Sequence, residues 1–82
     1  METPIGKVTH YYSKVGVAVV KLTAPLRLGD RVKIKDGDRE WSQEITSMQV
    51  DYKPVEHANA GDEIAIKTDD KAREGALLIV EK

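Results

Sequence analysis

The chain has 82 residues, no cysteine, and 13 Lys and Arg against 14 Asp and Glu, a formal net charge of −1. That length makes one domain with a thin core, burying roughly 60–65 % of the surface its unfolded chain exposes, and neither disulfides nor thiolate metal sites are available to reinforce it. Interleaved, balanced charge excludes the strong non-specific nucleic-acid binding that rests on a large excess of Lys and Arg, leaving at most a local basic face; the longest apolar run, residues 17–20, is too short to cross a bilayer.

Residues 5–12 read as a first strand opened by Pro4, with Val8, His10 and Tyr12 on one face, and Ser13-Lys14 as the turn that follows. Residues 15–22 are apolar on both faces, which fits a strand covered on both sides: one face meets the core, and the outer face of Val15, Val17 and Val19 meets a loop or a partner. Thr23-Ala24-Pro25 ends it, because proline has no N–H for a ladder.

Leu28-Gly29-Asp30 then opens a strand that is returned later, as Ala60-Gly61-Asp62 opens a second one. Glycine reaches positive φ without a Cβ clash, and an aspartate side chain bonds nearby backbone, so both pairs read as tight corners. Val32 and Ile34 face inward after the first, with Arg31, Lys33 and Lys35 outward; Ile64 and Ile66 face inward after the second. Two copies are too few for a solenoid.

Between them, Asp36-Gly37-Asp38 predicts a hairpin. The returning strand, 39–52, breaks phase: Trp41, Gln43 and Ile45 are odd, Met48 and Val50 even, which predicts a β-bulge at Thr46-Ser47. Trp41 shares the inward parity and is placed in the core or at the rim. Lys53-Pro54 stops the strand, and the three-residue spacing of Val55 and Ala58 allows a single helical turn over 55–59. A polar loop over 68–73, Gly75 and a last strand over 76–80 complete the chain. The expectation is a single all-β domain, 1–82: a small closed antiparallel barrel of six or seven strands.

Catalytic chemistry finds no foothold. Gly6-Lys7 lacks the surrounding phosphate-loop pattern, His10 and His57 lack metal-ligand spacing, and Ser13, Ser42 and Ser47 carry no nucleophile signature. No catalytic residue, metal, cofactor or small-molecule substrate is expected. Binding is expected where aromatics stand beside basic residues: Tyr11, Tyr12 and Lys14 in the first hairpin, with Tyr52, Lys53 and His57. The first four residues show no signal-peptide pattern, which makes the expected location cytoplasmic, with no membrane partner.

The ordered set Leu28-Gly29-Asp30, Ile45-Thr46-Ser47-Met48, 60–66 and Arg73-Glu74-Gly75-Ala76-Leu77-Leu78 resembles the second domain of elongation factor Tu and related translational GTPases. Residues 5–19 resemble more closely the small stand-alone translation elongation factor-like proteins of prokaryotes, and a related barrel ends the collagenase-like peptidases. The resemblance implies a barrel of the translation-factor domain 2 type. It implies a non-enzymatic binding module contacting tRNA, rRNA, a ribonucleoprotein or a ribosome-associated protein. GTP hydrolysis is not implied, since the nucleotide-binding domain has no counterpart here. The alternatives are a protein-interaction or oligomerisation barrel, or an accessory domain of an enzyme such as a collagenase-like peptidase.

Overall fold

The computed structural model describes residues 3–81. Ten short strands run in the order β1 (Pro4–Tyr12), β2 (Val17–Leu22), β3 (Leu26–Arg27), β4 (Arg31–Asp36), β5 (Arg39–Glu44), β6 (Met48–Val50), β7 (Lys53–Pro54), β8 (His57–Ala58), β9 (Glu63–Lys67) and β10 (Leu77–Val80), with no helix among the described residues. Eight of them form one antiparallel sheet in the order β5-β4-β10-β1-β2-β9-β6-β7, and β3 pairs with β8. Val32, Ile34, Ile64 and Ile66 all lie inside, joined by Val8, Val20, Leu22, Leu26, Ile45, Met48 and Leu78.

The sheet is not closed into a barrel: β5 and β7 are its two edges, and no ladder joins them. The expected long strand over 39–52 explains why. It does not bulge at Thr46-Ser47 but stops at Glu44 and resumes at Met48, so the two halves never pair and the chain steps from one edge of the sheet toward the other. β7 is two residues long and ends on Pro54, whose missing N–H limits pairing there. The β5 edge is tied down by a side chain. Gln43, nearly fully buried, donates Nε2–H to Lys67 C=O at 2.9 Å, and its Oε1 accepts from Asp69 N–H at 2.8 Å and Trp41 Nε1–H at 3.0 Å.

Two further expectations are corrected. Residues 55–59 form no helical turn; β8 runs there in extended form against β3, pairing Leu26 with Ala58 and Arg27 with His57. β2 begins at Val17, because Val15 and Gly16 belong to the turn after Tyr12, whose C=O accepts both of their N–H groups.

The Gly-Asp corners are four-residue turns with one construction. Asp30 N–H donates to Arg27 C=O and Asp62 N–H to Asn59 C=O, at 3.2 and 3.1 Å, while Gly29 and Gly61 sit at φ 90° and 92° in the third position, as a type II turn requires. Each aspartate reaches back to the first residue: Oδ2 of Asp30 accepts from Arg27 N–H at 3.0 Å, and Oδ2 of Asp62 from Asn59 N–H at 2.9 Å. A third corner, Arg73-Glu74-Gly75-Ala76, repeats the backbone bond at 3.0 Å with Gly75 at φ 94°, but has alanine where the aspartate would be. Asp36 supplies the missing oxygen from the end of β4. Its Oδ2 accepts from Arg73 N–H at 3.3 Å and from Arg73 Nε–H at 3.1 Å.

The first and last long strands are neighbours, and Pro4 lies opposite Ile79. β1 crosses close over β2 at Gly6, where an added Cβ would lie 2.6 Å from Val20 Cγ1.

Candidate functional site

A groove opens on the outer face of the sheet, toward the far end of β1 from Pro4. Its first wall comes from a bulge. Val8 pairs with Val20 and His10 with Val19, leaving Thr9 as the extra residue. A bulge reverses the side-chain phase, so the expected shared face of Val8, His10 and Tyr12 does not exist: Val8 is buried, His10 and Tyr12 point out, and Tyr11 packs against the core. The Tyr12 ring is half exposed and meets His10 edge-on, with ring centres 4.3 Å apart. His10 Nδ1 lies 3.6 Å from a Glu74 carboxylate oxygen.

The floor is the outer side of β2 and β9, where half-buried Val17 and Val19 lie beside Ala65. The opposite wall is the β6–β7 hairpin. Val50 faces Lys53 across a two-residue loop, Asp51-Tyr52, with φ values of 52° and 65°. Two successive positive φ angles define a type I′ turn, which asparagine and glycine adopt far more readily than tyrosine. Tyr52 is nonetheless there, 94 % exposed at the tip of the hairpin. Between the walls is an open cleft of about 550 Å³.

The groove is acidic. Asp51 and Glu63 line it, and no Lys or Arg does. Glu63 Oε2 lies 3.3 Å from the Thr9 hydroxyl; Lys21, across the ladder from Glu63, donates its ammonium to Gly61 C=O at 2.8 Å. Among the described residues neither groove carboxylate has an ion-pair partner.

Elsewhere, Arg39 lies over the Trp41 ring at 5.5 Å and pairs with Asp70 at 2.9 Å, fixing the half-buried tryptophan at the rim. The Asp36 carboxyl is held below its ordinary range by the Arg73 hydrogen bond, against the opposing effect of burial. A second shallow cleft, about 490 Å³, is lined by Arg27, Leu28, Glu56 and His57. Among the described residues no group of three or more His, Asp or Glu could hold a metal ion, and no helix is long and apolar enough to cross a membrane.

Of the six residues singled out in the sequence, the fold brings Tyr12 and Tyr52 to one groove. Tyr11 is turned to the core, Lys14 and Lys53 are exposed outside the groove, and His57 lines the second cleft. Sequence reasoning missed Asp51 and Glu63. Glu63 was legible as the outward residue of an alternating strand, whereas Asp51 lay in what read as continuous strand.

The fold is similar to that of a C-terminal domain solved from a U32-type peptidase. The chain superposes on the crystal structure of the C-terminal domain of a Geobacillus thermoleovorans protein assigned to the U32 peptidases, with a TM-score of 0.89 and 19 % identity, covering 99 % of this chain and 93 % of that one. The selenomethionine variant of that domain gives 0.88 at 18 % identity, covering 94 % and 98 %. In sequence, the chain is 36 % identical over 72 residues to an uncharacterized protease of Methanocaldococcus jannaschii; the match takes in 87 % of this chain and 18 % of the protease. The chain thus spans about a fifth of the length of that curated relative. No family model matches it.

These relatives overturn the resemblance to translation factors, and with it the expected RNA contacts. Three of the motifs behind that resemblance, at Gly29, Gly61 and Gly75, are type II corners with the strands that follow them, while Ile45-Thr46-Ser47 is the irregular link between β5 and β6. A type II turn favours glycine at its third position whatever the protein, so these corners carry little family information.

Proposed function

We propose that this chain is a non-catalytic accessory domain that works with a peptidase catalytic body, either within one polypeptide or as a separate subunit. The observation that carries the reading is the 36 % identity to one small part of a much longer protease. The fold points the same way, since two similar solved structures are of the C-terminal domain of a U32-type peptidase. A domain of this kind contributes placement: it holds a catalytic body or a substrate in position through its surface.

The test is recovery of the protein, tagged at its native locus, from its own host, with mass spectrometry of what accompanies it. A U32-type peptidase, in the same polypeptide or at matched stoichiometry, is the expected result. Recovery with ribosomal particles and without a peptidase overturns the proposal. So does turnover of fluorescent casein by the purified 82-residue chain alone.

A further inference from the structure

We propose that the outer face of β4, β10 and β1, centred on Lys7, Lys33 and Lys35, is the surface against which an acidic patch of the peptidase body docks. The proposal deepens the accessory-domain reading and rests on it for the identity of the partner.

The ladders bring these residues together in rows. Lys35 lies opposite Leu77, Leu77 opposite Lys7, and Lys7 opposite Lys21; two residues further along, Lys33 lies opposite Ile79 and Ile79 opposite Pro4. Their side of the sheet is the outer one, because the alternate residues Val32, Ile34, Leu78 and Val8 are in the core. On that side the three strands carry Arg31, Lys33, Lys35 and Lys7 and no carboxylate; their one acidic residue, Asp36, is buried and bonded to Arg73. In a chain of net charge −1 this is a sorted face. The groove over β2 and β9 carries the opposite sign.

The face is incomplete by itself. Lys7 and Lys21 stand directly opposite each other, an arrangement that repulsion between like charges disfavours. Lys21 turns its ammonium to Gly61 C=O, whereas Lys7 is exposed and has no ion-pair partner among the described residues. Carboxylates at the borders stand at long range, Glu81 at 3.9 Å from Arg31 and Glu40 at 4.0 Å from Lys35. Ile79 is 4 % exposed although it lies on the outer side, apart from the core cluster, flanked in its row by Lys33 and Pro4. Lys33 and Lys35 are themselves half-buried, which is how a lysine sits when its methylene stem lies along apolar neighbours. Stems already laid down lose little freedom when their ammonium groups meet carboxylates.

Position selects the partner. In the solved structures this fold is the C-terminal domain of a peptidase, so the rest of that polypeptide precedes it and enters at the start of the first strand. Here Pro4 shares a row with Ile79 and Lys33, two strands from Lys33 and hence about 10 Å from it at the spacing of a sheet. A body joined upstream of Pro4 starts at the rim of this face, where a short connection gives it a roughly millimolar effective concentration. A body held as a separate subunit would meet the same cations. Contacts between domains of one chain are more polar than permanent subunit interfaces, which suits a face of lysine stems and ammonium groups. Carboxylates opposite them complete the charge pairs and reject partners of the wrong sign.

The experiment takes the tagged protein as recovered from its own host and treats it with a zero-length carbodiimide, which joins an amine to a carboxylate only where the two touch. Mass spectrometry is expected to find Lys7, Lys33 or Lys35 joined to aspartate or glutamate of the peptidase body. No such links are expected from Lys14 in the β1–β2 turn, Lys53 in β7 or Lys71 in the loop after β9. Lys7→Glu lowers the links from Lys33 and Lys35 at least fivefold. It leaves the melting temperature of the purified chain at or above that of the parent, because it relieves the repulsion with Lys21. Lys53→Glu leaves the links unchanged. A peptidase recovered without links from Lys7, Lys33 or Lys35, or with links unchanged in Lys7→Glu, overturns the docking face and leaves the accessory-domain reading standing. Links from this face to a protein that is not a peptidase overturn it too, as does flotation of the purified chain with phosphatidylglycerol vesicles that Lys7→Glu abolishes. Recovery without any peptidase removes the accessory-domain reading and the docking face with it.

Discussion

Replacing Tyr52 by glycine is expected to stabilise the protein, the reverse of the usual effect of deleting an aromatic residue. The ring is 94 % exposed, so removing it forfeits almost no burial. What changes is the backbone. Tyr52 holds φ 65° in the third position of a type I′ turn, where a Cβ crowds the following carbonyl at a cost of about 1–2 kcal/mol. Glycine removes that cost but makes the unfolded chain more flexible, which takes back about 0.4–1 kcal/mol. The net gain is centred on about 0.8 kcal/mol, which raises the melting temperature by roughly 3–6 °C in a domain of this size. Thermal denaturation followed by circular dichroism reads it. Tyr52→Ala serves as the control, because it removes the same ring and keeps the Cβ; it should melt close to the parent and below Tyr52→Gly. If the glycine variant melts several degrees lower than the parent, the turn is unstrained or the ring is stabilising, and the account of a strained turn at Tyr52 is refuted.

Asp36→Asn should cost about 1–3 kcal/mol, since it weakens charge-assisted bonds to Arg73, measured by urea denaturation at pH 7. The same variant should flatten the acid limb. The folded Asp36 carboxyl titrates below its ordinary value, so its contribution is fully present above about pH 4 and is lost as pH falls through the depressed value. Asp70 shifts in the same direction, through the Lys71 N–H and then Arg39, so part of the limb survives in the variant; an unchanged limb would remove Asp36 from the explanation. Gln43→Leu leaves Lys67 C=O, Asp69 N–H and the Trp41 indole N–H without their partner and should cost about 3 kcal/mol in the same denaturation. Ile34→Asp or Ile64→Asp puts a carboxylate among fully buried side chains. Against a total stability of about 5 kcal/mol this should abolish the cooperative melt; a surviving transition would contradict the inward assignment.

The core was legible in the sequence because period-2 alternation after Gly29-Asp30 and Gly61-Asp62 leaves no choice of face, and Val32, Ile34, Ile64 and Ile66 are all buried. The failures occur where one residue changes the phase. Thr9 reverses the alternation of β1 with nothing in its chemistry to announce a bulge, and that single residue decides that Tyr12 faces the groove while Tyr11 faces the core. Asp51 and Tyr52 were read as strand because tyrosine is a strand-former, whereas pairing of Val50 with Lys53 forces them into a turn they do not favour. β3 and β8 are two residues each, below any periodicity, and form because Leu26 and Ala58 are both drawn into the core. The help Asp36 gives to Arg73 spans 37 residues and could not be seen locally.

Because Pro4 and Ile79 face each other across one ladder, a neighbour fused upstream and a neighbour fused downstream would leave from the same corner. Swapping the order of two modules in a gene would then keep this one in nearly the same pose relative to its companion. It also means the two ends could be spliced by a short linker and the backbone cut instead at Gly37-Asp38, giving a rearranged polypeptide with its shape intact.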